Sequence, residues 1–298
     1  MTVDKVSLPP ELEREIFDFA ARISPKTIPT MLRVARRVYV WVRPFLVQLV
    51  RVMEGECRIP LVSFMNDEPD FLASSVRYLC ISENVEGGAI QDEEIRRLLT
   101  LCTHVGDLAI TYPLQNSALI KPMHNLRRLI CSLRDLFGTI GSIDPQHEAL
   151  SRITHLELTD NFSNEDTAVQ QSFWRQVCRI PRVTHLATST PRSVDYTTLS
   201  RCLQSAPKLC VFVALWGRSE VRSAYRFVNA LQVDDVRFMA GSFFDNDDDP
   251  WWEWEQSAAG YADDYWVRAE AFLVRKGRGE VDAKRYWMDD WMYLEMEA

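Results

Sequence analysis

The chain has 298 residues, 47% of them apolar, enough to build a substantial core and too many for a disordered protein. No run approaches the roughly 18 apolar residues of a membrane span. The opening, Asp4-Lys5 followed by LPPELEREIF, lacks the apolar stretch of a secretory signal, so a cytoplasmic or nuclear location is expected.

Residues 8–22, LPPELEREIFDFAAR, read as a helix begun by Pro9 and Pro10, with Glu11, Glu13 and Glu15 at the positive end of its dipole. Leu12, Ile16 and Phe19 form its apolar stripe, with Phe17 adjacent, and Ser24-Pro25 ends it. A second amphipathic helix is expected after Pro29. Met31, Val34, Val38, Trp41, Phe45, Leu49 and Val52 recur on one side, Arg33, Arg36, Arg37 and Arg43 lie outside, and Pro44 kinks the segment. Residues 53–75 read as a connection with a short strand around 61–65, where Ile59, Val62 and Phe64 allow an extra first repeat.

From residue 76 a repeating unit sets in. Its clearest copy is ITHLELTDN, Ile153–Asn161, which fits L-x-x-L-x-L-x-x-N with Ile153, Leu156 and Leu158 in the apolar slots and Asn161 at the turn. The same i, i+3, i+5 skeleton occurs at Val76/Leu79/Ile81, Val105/Leu108/Ile110, Leu126/Leu129/Cys131, Val183/Leu186/Thr188, Leu209/Phe212/Ala214 and Val233/Val236/Phe238. Of these six copies, only the first has a turn asparagine, Asn84. The starts lie 21 to 30 residues apart, close to the leucine-rich-repeat period of roughly 20–29. Such a unit cannot bury its apolar edge alone and must stack on its neighbours. Helical returns are expected at Asp92–Cys102, 164–179, 197–206 and 220–231, with residues 113–150 the least regular.

In such a repeat the side chains between the apolar slots face a solvent-exposed concave surface. Tyr78, Asp107, Arg128, His155, Glu157, His185 and Arg237 are therefore the candidate target-binding ladder. His155 and His185 should stand side by side on adjacent strands, about 5 Å apart. With Glu157 nearby a metal or acid–base pair is conceivable, but no third ligand accompanies them, and a repeat remnant is the better reading. P-loop, H-E-x-x-H, G-x-S-x-G and post-strand G-x-G-x-x-G motifs are all missing, so no catalytic residue, metal site or cofactor is assigned. Asp245, Asp247 and Asp249 mimic a calcium loop, but Pro250 and Gln256 occupy its glycine and closing glutamate positions. The seven scattered cysteines, without C-x-x-C, read as small apolar residues of a reducing compartment.

The net charge of −8 belongs to the end of the chain. Residues 245–298 carry 15 acidic and 6 basic side chains, whereas residues 1–244 are nearly balanced, which argues against a nucleic-acid partner. Six of the nine tryptophans follow residue 250, and an array needs its last repeat sealed. A helix over residues 262–276 is expected to present Tyr265 or Trp266, Ala269, Phe272 and Leu273 to the array as a cap. Residues 245–256 could instead form an acidic, aromatic docking strip, and residues 286–298 a short helix or a frayed tail.

The opening resembles the F-box, on Leu8-Pro9-Pro10-Glu11-Leu12, Ile16-Phe17 and Leu32-Arg33-Val34-Ala35-Arg36-Arg37. Ala35 and Val38 stand where that family commonly has Cys and Trp. With THL-type repeats and the closing DDYWVRAEAF, the whole chain resembles F-box-like proteins of mushroom-forming fungi. The resemblance implies a Skp-family adaptor and a cullin scaffold as partners. It also implies adaptor contacts through Leu8, Pro9, Pro10, Leu12, Ile16, Phe17, Leu32, Val34, Arg36 and Arg37. The expected architecture is α/β: a helical F-box-like module (1–52), a connection (53–75), a leucine-rich-repeat-like solenoid with a parallel sheet (76–244) and an acidic, Trp-rich cap (245–298). The expected role is non-catalytic recognition of a target protein within a ubiquitin ligase. The alternative is a plain binding scaffold whose opening only caps the first repeat, and the Arg-rich helix also admits contact with a membrane surface.

Overall fold

Eight short strands form one open parallel sheet in chain order: β1 Leu49–Val52, β2 Tyr78–Ile81, β3 Asp107–Ile110, β4 Arg128–Cys131, β5 His155–Leu158, β6 His185–Thr188, β7 Val211–Trp216 and β8 Phe238–Ser242. The structure is a computed structural model, describing residues 8–53, 58–82, 91–231, 233, 235–243, 249 and 251–289. Asn84, the acidic residues 245–248 and the tail 290–298 lie outside the described residues.

The described helices open with α1 Pro10–Ile23, α2 Ile28–Met31 and α3 Arg36–Val42. Between strands run α4 Arg58–Asp67, α5 Pro69–Ser75, α6 Asp92–Leu101, α7 Leu133–Phe137, α8 Thr167–Val177, α9 Tyr196–Gln204 and α10 Val221–Ala230. After β8 come α11 Trp252–Ala258 and α12 Tyr265–Gly277. No described helix is long and apolar enough to cross a membrane.

The apolar skeleton explains why the strands stack. Val76, Leu79 and Ile81, then Val105, Leu108 and Ile110, and so on through Leu209, Phe212 and Ala214, enter one continuous core. Ile95, Leu98 and Leu99 of α6, Phe173 and Trp174 of α8 and Leu199 and Leu203 of α9 fill it from the helical side. Each fully buried Leu or Ile contributes about 1.5–3 kcal/mol there. The registers align the slots: Leu129 stands beside Leu156 and Leu156 beside Leu186. Helix starts follow local chemistry, with a reciprocal Gln91/Glu94 capping box on α6 and aspartate caps Asp166, Asp195 and Asp264 on α8, α9 and α12.

The structure departs from the sequence expectations in four places. The second helix breaks after Met31 and resumes at Arg36, and Leu49 and Val52 belong to β1. Val47, Val50 and Val52 carry the same apolar spacing there and join the main core, so the sheet begins one strand earlier. Residues 61–65 are helical, within α4. With the strand position filled by β1, the return to parallel β2 needs a crossover, which α4 and α5 provide. The last unit is displaced by two residues: Phe238 and Ala240 pair with Phe212 and Ala214, and Val236 is exposed. Arg237 therefore leaves the ladder. Its guanidinium donates to the carbonyl of Leu203 (2.6 Å) in the last turn of α9 and to those of Ala206 (2.7 Å) and Leu209 (3.1 Å) just beyond it, and it pairs with Asp235. Asn161 stands at the turn as expected, its Oδ1 accepting from the Ser163 amide (2.9 Å), and the inward polar group beside it is Asp160. Its carboxylate accepts from Leu133 and Arg134 amides at the start of α7.

Candidate functional site

The face of the sheet opposite the helical core is largely covered. α11, α12 and their flanking residues lie across it as a roof. Trp251 and Trp254 pack on Cys80, Ala109 and Ile130, while Tyr265, Trp266, Ala269 and Phe272 cover Ala187, Val211, Val213 and Met239. The C-terminal helix does present the expected side chains, but to the sheet face rather than to the end of the array. The end is sealed by Tyr286–Met288. Ala240 and Met288 amides donate to the Tyr286 and Ala240 carbonyls (2.9 Å each), and Trp287 packs against Trp216 and Tyr225.

Polar contacts fix the roof at intervals, and most of the expected ladder makes them. Arg51 of β1 pairs with Asp249 (2.8 Å) and with Glu255. Trp254 Nε1 donates to Asp107 (3.1 Å), Arg128 to Asp264 (2.5 Å), and the Tyr265 hydroxyl to Glu157 (2.5 Å). His155 and His185 stack with ring centroids 4.2 Å apart, both edge-on to Trp266, and His185 Nε2 meets Glu270 at 2.9 Å. Arg268 of the roof joins Glu253, Asp289 and the Ser242 carbonyl. Of the described residues in the expected docking strip, Asp249 and Glu255 are drawn onto Arg51 and Glu253 is buried, while Trp252 stays exposed.

Asp107, Glu157 and His185 are buried; Tyr78, Arg128 and His155 are partly exposed. Between roof and sheet remains a half-open cavity of about 250 Å³, walled below by Asp107, Ile130, His155 and Glu157 and above by Trp251, Trp254, Tyr265 and Trp266. Sequence reasoning assigned Tyr265, Trp266, Ala269 and Phe272 to packing on the array but missed that they cover this face, and it missed Trp251 and Trp254 as part of that cover. The signal for them was the apolar run Cys80, Ala109, Ile130, Ala187 and Val213 on a face assumed to be wet. Among the described residues, no group of three or more His, Cys, Asp or Glu side chains could hold a metal ion.

The burial shifts titration in opposite directions. Loss of water pushes the Glu157 carboxyl up to about 7 and Asp107 up to about 6, against the opposing hydrogen bonds of Tyr265 and Trp254. Burial, reinforced by His185, lowers His155 to about 3, and His185 is also lowered. A carboxyl raised in the folded state stabilises below its unfolded pKa and loses that contribution as pH rises through the folded value. A lowered histidine stabilises above its unfolded pKa and loses that as pH falls. Glu157→Gln is therefore expected to gain stability relative to the native chain, by a few kcal/mol, between pH 4.5 and 8. Urea unfolding at several pH values reads this out, and a pH-independent difference would contradict it.

The N-terminal module is built differently. Phe17 and Leu32 pack on Ala21, Ile28, Val38 and Val42 and hold it together. Arg37 pairs with Glu13 (2.7 Å). Leu8, Pro9, Pro10, Leu12, Ile16, Val34 and Arg36 point outward, joined by Phe19 (65% exposed) and Ile23 (59%), which extend the α1 stripe. The architecture defines an α/β protein with one open parallel sheet, a helical opening and a C-terminal roof. No protein-family model matches the sequence, and no curated protein matches it.

Proposed function

We propose that the chain is a non-catalytic substrate-recognition subunit of a cullin–RING ubiquitin ligase, working in the cytoplasm or nucleus. In this reading its sheet is the inner wall of a leucine-rich-repeat-like solenoid, and its opening is an F-box that docks on a Skp-family adaptor. The carrying observation is the exposed apolar surface of the first helices. Nine of the fourteen exposed large apolar side chains among the described residues lie between Leu8 and Leu46. Leu12, Ile16, Phe19 and Ile23 among them follow helical spacing along α1, and an exposed apolar stripe of this kind suits binding to another protein. Target recognition moves from the covered ladder to the outer side of the roof, where Trp252, Tyr261, Val267 and Val274 are exposed.

A second reading, a binding scaffold with the opening as a cap, is favoured by the two contacts of one side chain. Arg43 lies over the Phe71 ring (4.1 Å) and pairs with Glu68, tying the module to α4 and α5 beside β1. Co-purification with a Skp-family adaptor separates the two. Leu12→Ser/Ile16→Ser should leave the melting temperature unchanged, since both side chains are exposed, yet abolish adaptor recovery. Absence of adaptor with the intact chain, or equal recovery with the double variant, leaves the scaffold reading.

A further inference from the structure

The cavity beneath the roof lies apart from the surface proposed for adaptor docking and shares none of its residues. Its wall carries three indoles, Trp251, Trp254 and Trp266, with the Tyr265 ring. Arg128, the only Lys or Arg among the described lining residues, is already bonded to Asp264, and Glu253 is bonded to Arg268. Asp107 and Glu157 differ from those two acids. Both are buried, and the roof side chains bonded to them, the Trp254 indole and the Tyr265 hydroxyl, are neutral.

We propose that this cavity binds a small organic cation, an amine carried on a compact apolar or aromatic body. A cation placed there gains the electron-rich faces of the indoles and a carboxylate partner in a medium of low dielectric. An anion would meet four acidic side chains and a guanidinium already occupied by Asp264. The volume of about 250 Å³ lies just below the roughly 300 Å³ where drug-sized sites begin, which sets the ligand at fragment size. The apolar body would sit against Ile130 and the indoles, and the ammonium group would turn to Glu157 or Asp107. Bound amine would also join roof to sheet, since the indoles and Tyr265 belong to one and Asp107, Ile130 and Glu157 to the other.

The probe is phenethylamine, titrated into the full chain and followed by calorimetry and tryptophan fluorescence. Neutral 2-phenylethanol and anionic 3-phenylpropanoate are the matched controls. The amine should bind at least about tenfold more tightly than the alcohol, and the acid should not bind, because a hydrogen bond to a charged group adds roughly 1.5–3 kcal/mol. Glu157→Gln should weaken the amine about ten- to a hundredfold and leave the alcohol unchanged. Asp107→Asn carries the same expectation, and a loss in either variant supports the site. Should neither variant fold, the preference of the native chain for amine over alcohol decides. Equal affinity for amine and alcohol, no amine binding at millimolar concentration, or unchanged amine affinity in both folded variants would overturn the proposal.

Discussion

Replacing Trp266 by alanine should destabilise the chain by about 3–5 kcal/mol, the usual cost of deleting a buried large aromatic. Trp266 is 6% exposed and stands edge-on to both stacked histidines, with Ala187, Val211 and Met239 in the same cluster. Its loss leaves a cavity and opens the His155–His185 pair to water, so the two imidazoles should then titrate nearer 6.5. Chemical denaturation gives the first quantity and histidine proton shifts give the second. A roof resting only loosely on the sheet would lose less than about 1 kcal/mol, as surface substitutions do.

The second large effect centres on Arg268. Its guanidinium meets Glu253 at 2.7 Å and Asp289 at 2.6 Å, and those two carboxylates are 5% and 3% exposed. Arg268 also donates to the Ser242 carbonyl, while Asp289 accepts from the Ser242 amide and hydroxyl. One side chain thus links α11, α12, the end of β8 and the segment that closes the array. Arg268→Met should cost about 3–5 kcal/mol, because it leaves two buried carboxylates without this cation. Adding Glu253→Gln and Asp289→Asn should restore part of the loss, since the penalty is uncompensated charge rather than lost packing. Equal destabilisation of the single and triple variants would contradict this.

The strand core was legible because its signal is local. Leu79, Leu108, Leu156 and Phe212 all occupy the slot their spacing assigns, and the parallel order follows from short units returning through helices. Two errors came from the ambiguity of that spacing. Val47, Val50 and Val52 suit a strand slot, yet Leu49 and Val52 also continue a helical stripe from Phe45, and no local rule decides between the periods. Val233/Val236/Phe238 fits the skeleton better than Asp235/Phe238/Ala240. The pairing of β7 with β8 selects the second, because the closing segment adds its own hydrogen bonds to Ala240.

The roof was illegible for a different reason. Its contacts span very long sequence separations: Arg51 to Asp249, Asp107 to Trp254 and Glu157 to Tyr265. Interleaved acids and tryptophans suggested a seal over the last repeat or a docking strip, without saying that the surface they cover is the face of the sheet. In the ladder, Asp107, Glu157 and His185 looked like recognition residues because they were charged or polar. They prove to be the groups by which the sheet grips its cover.

Histidine carbethoxylation with peptide mapping tests that covered sheet most directly, because each histidine reports its own surroundings. His104 and His124 are exposed, His155 is partly buried and His185 buried beside Trp266. In the native chain His155 and His185 should react at least about tenfold more slowly than His104 and His124, even though their lowered pKa values keep them neutral and nucleophilic. The Trp266→Ala chain should lose that protection while His104 and His124 stay unchanged. Native His155 and His185 reacting as fast as His104 and His124 would mean that the sheet face lies open and that the roof does not close over it.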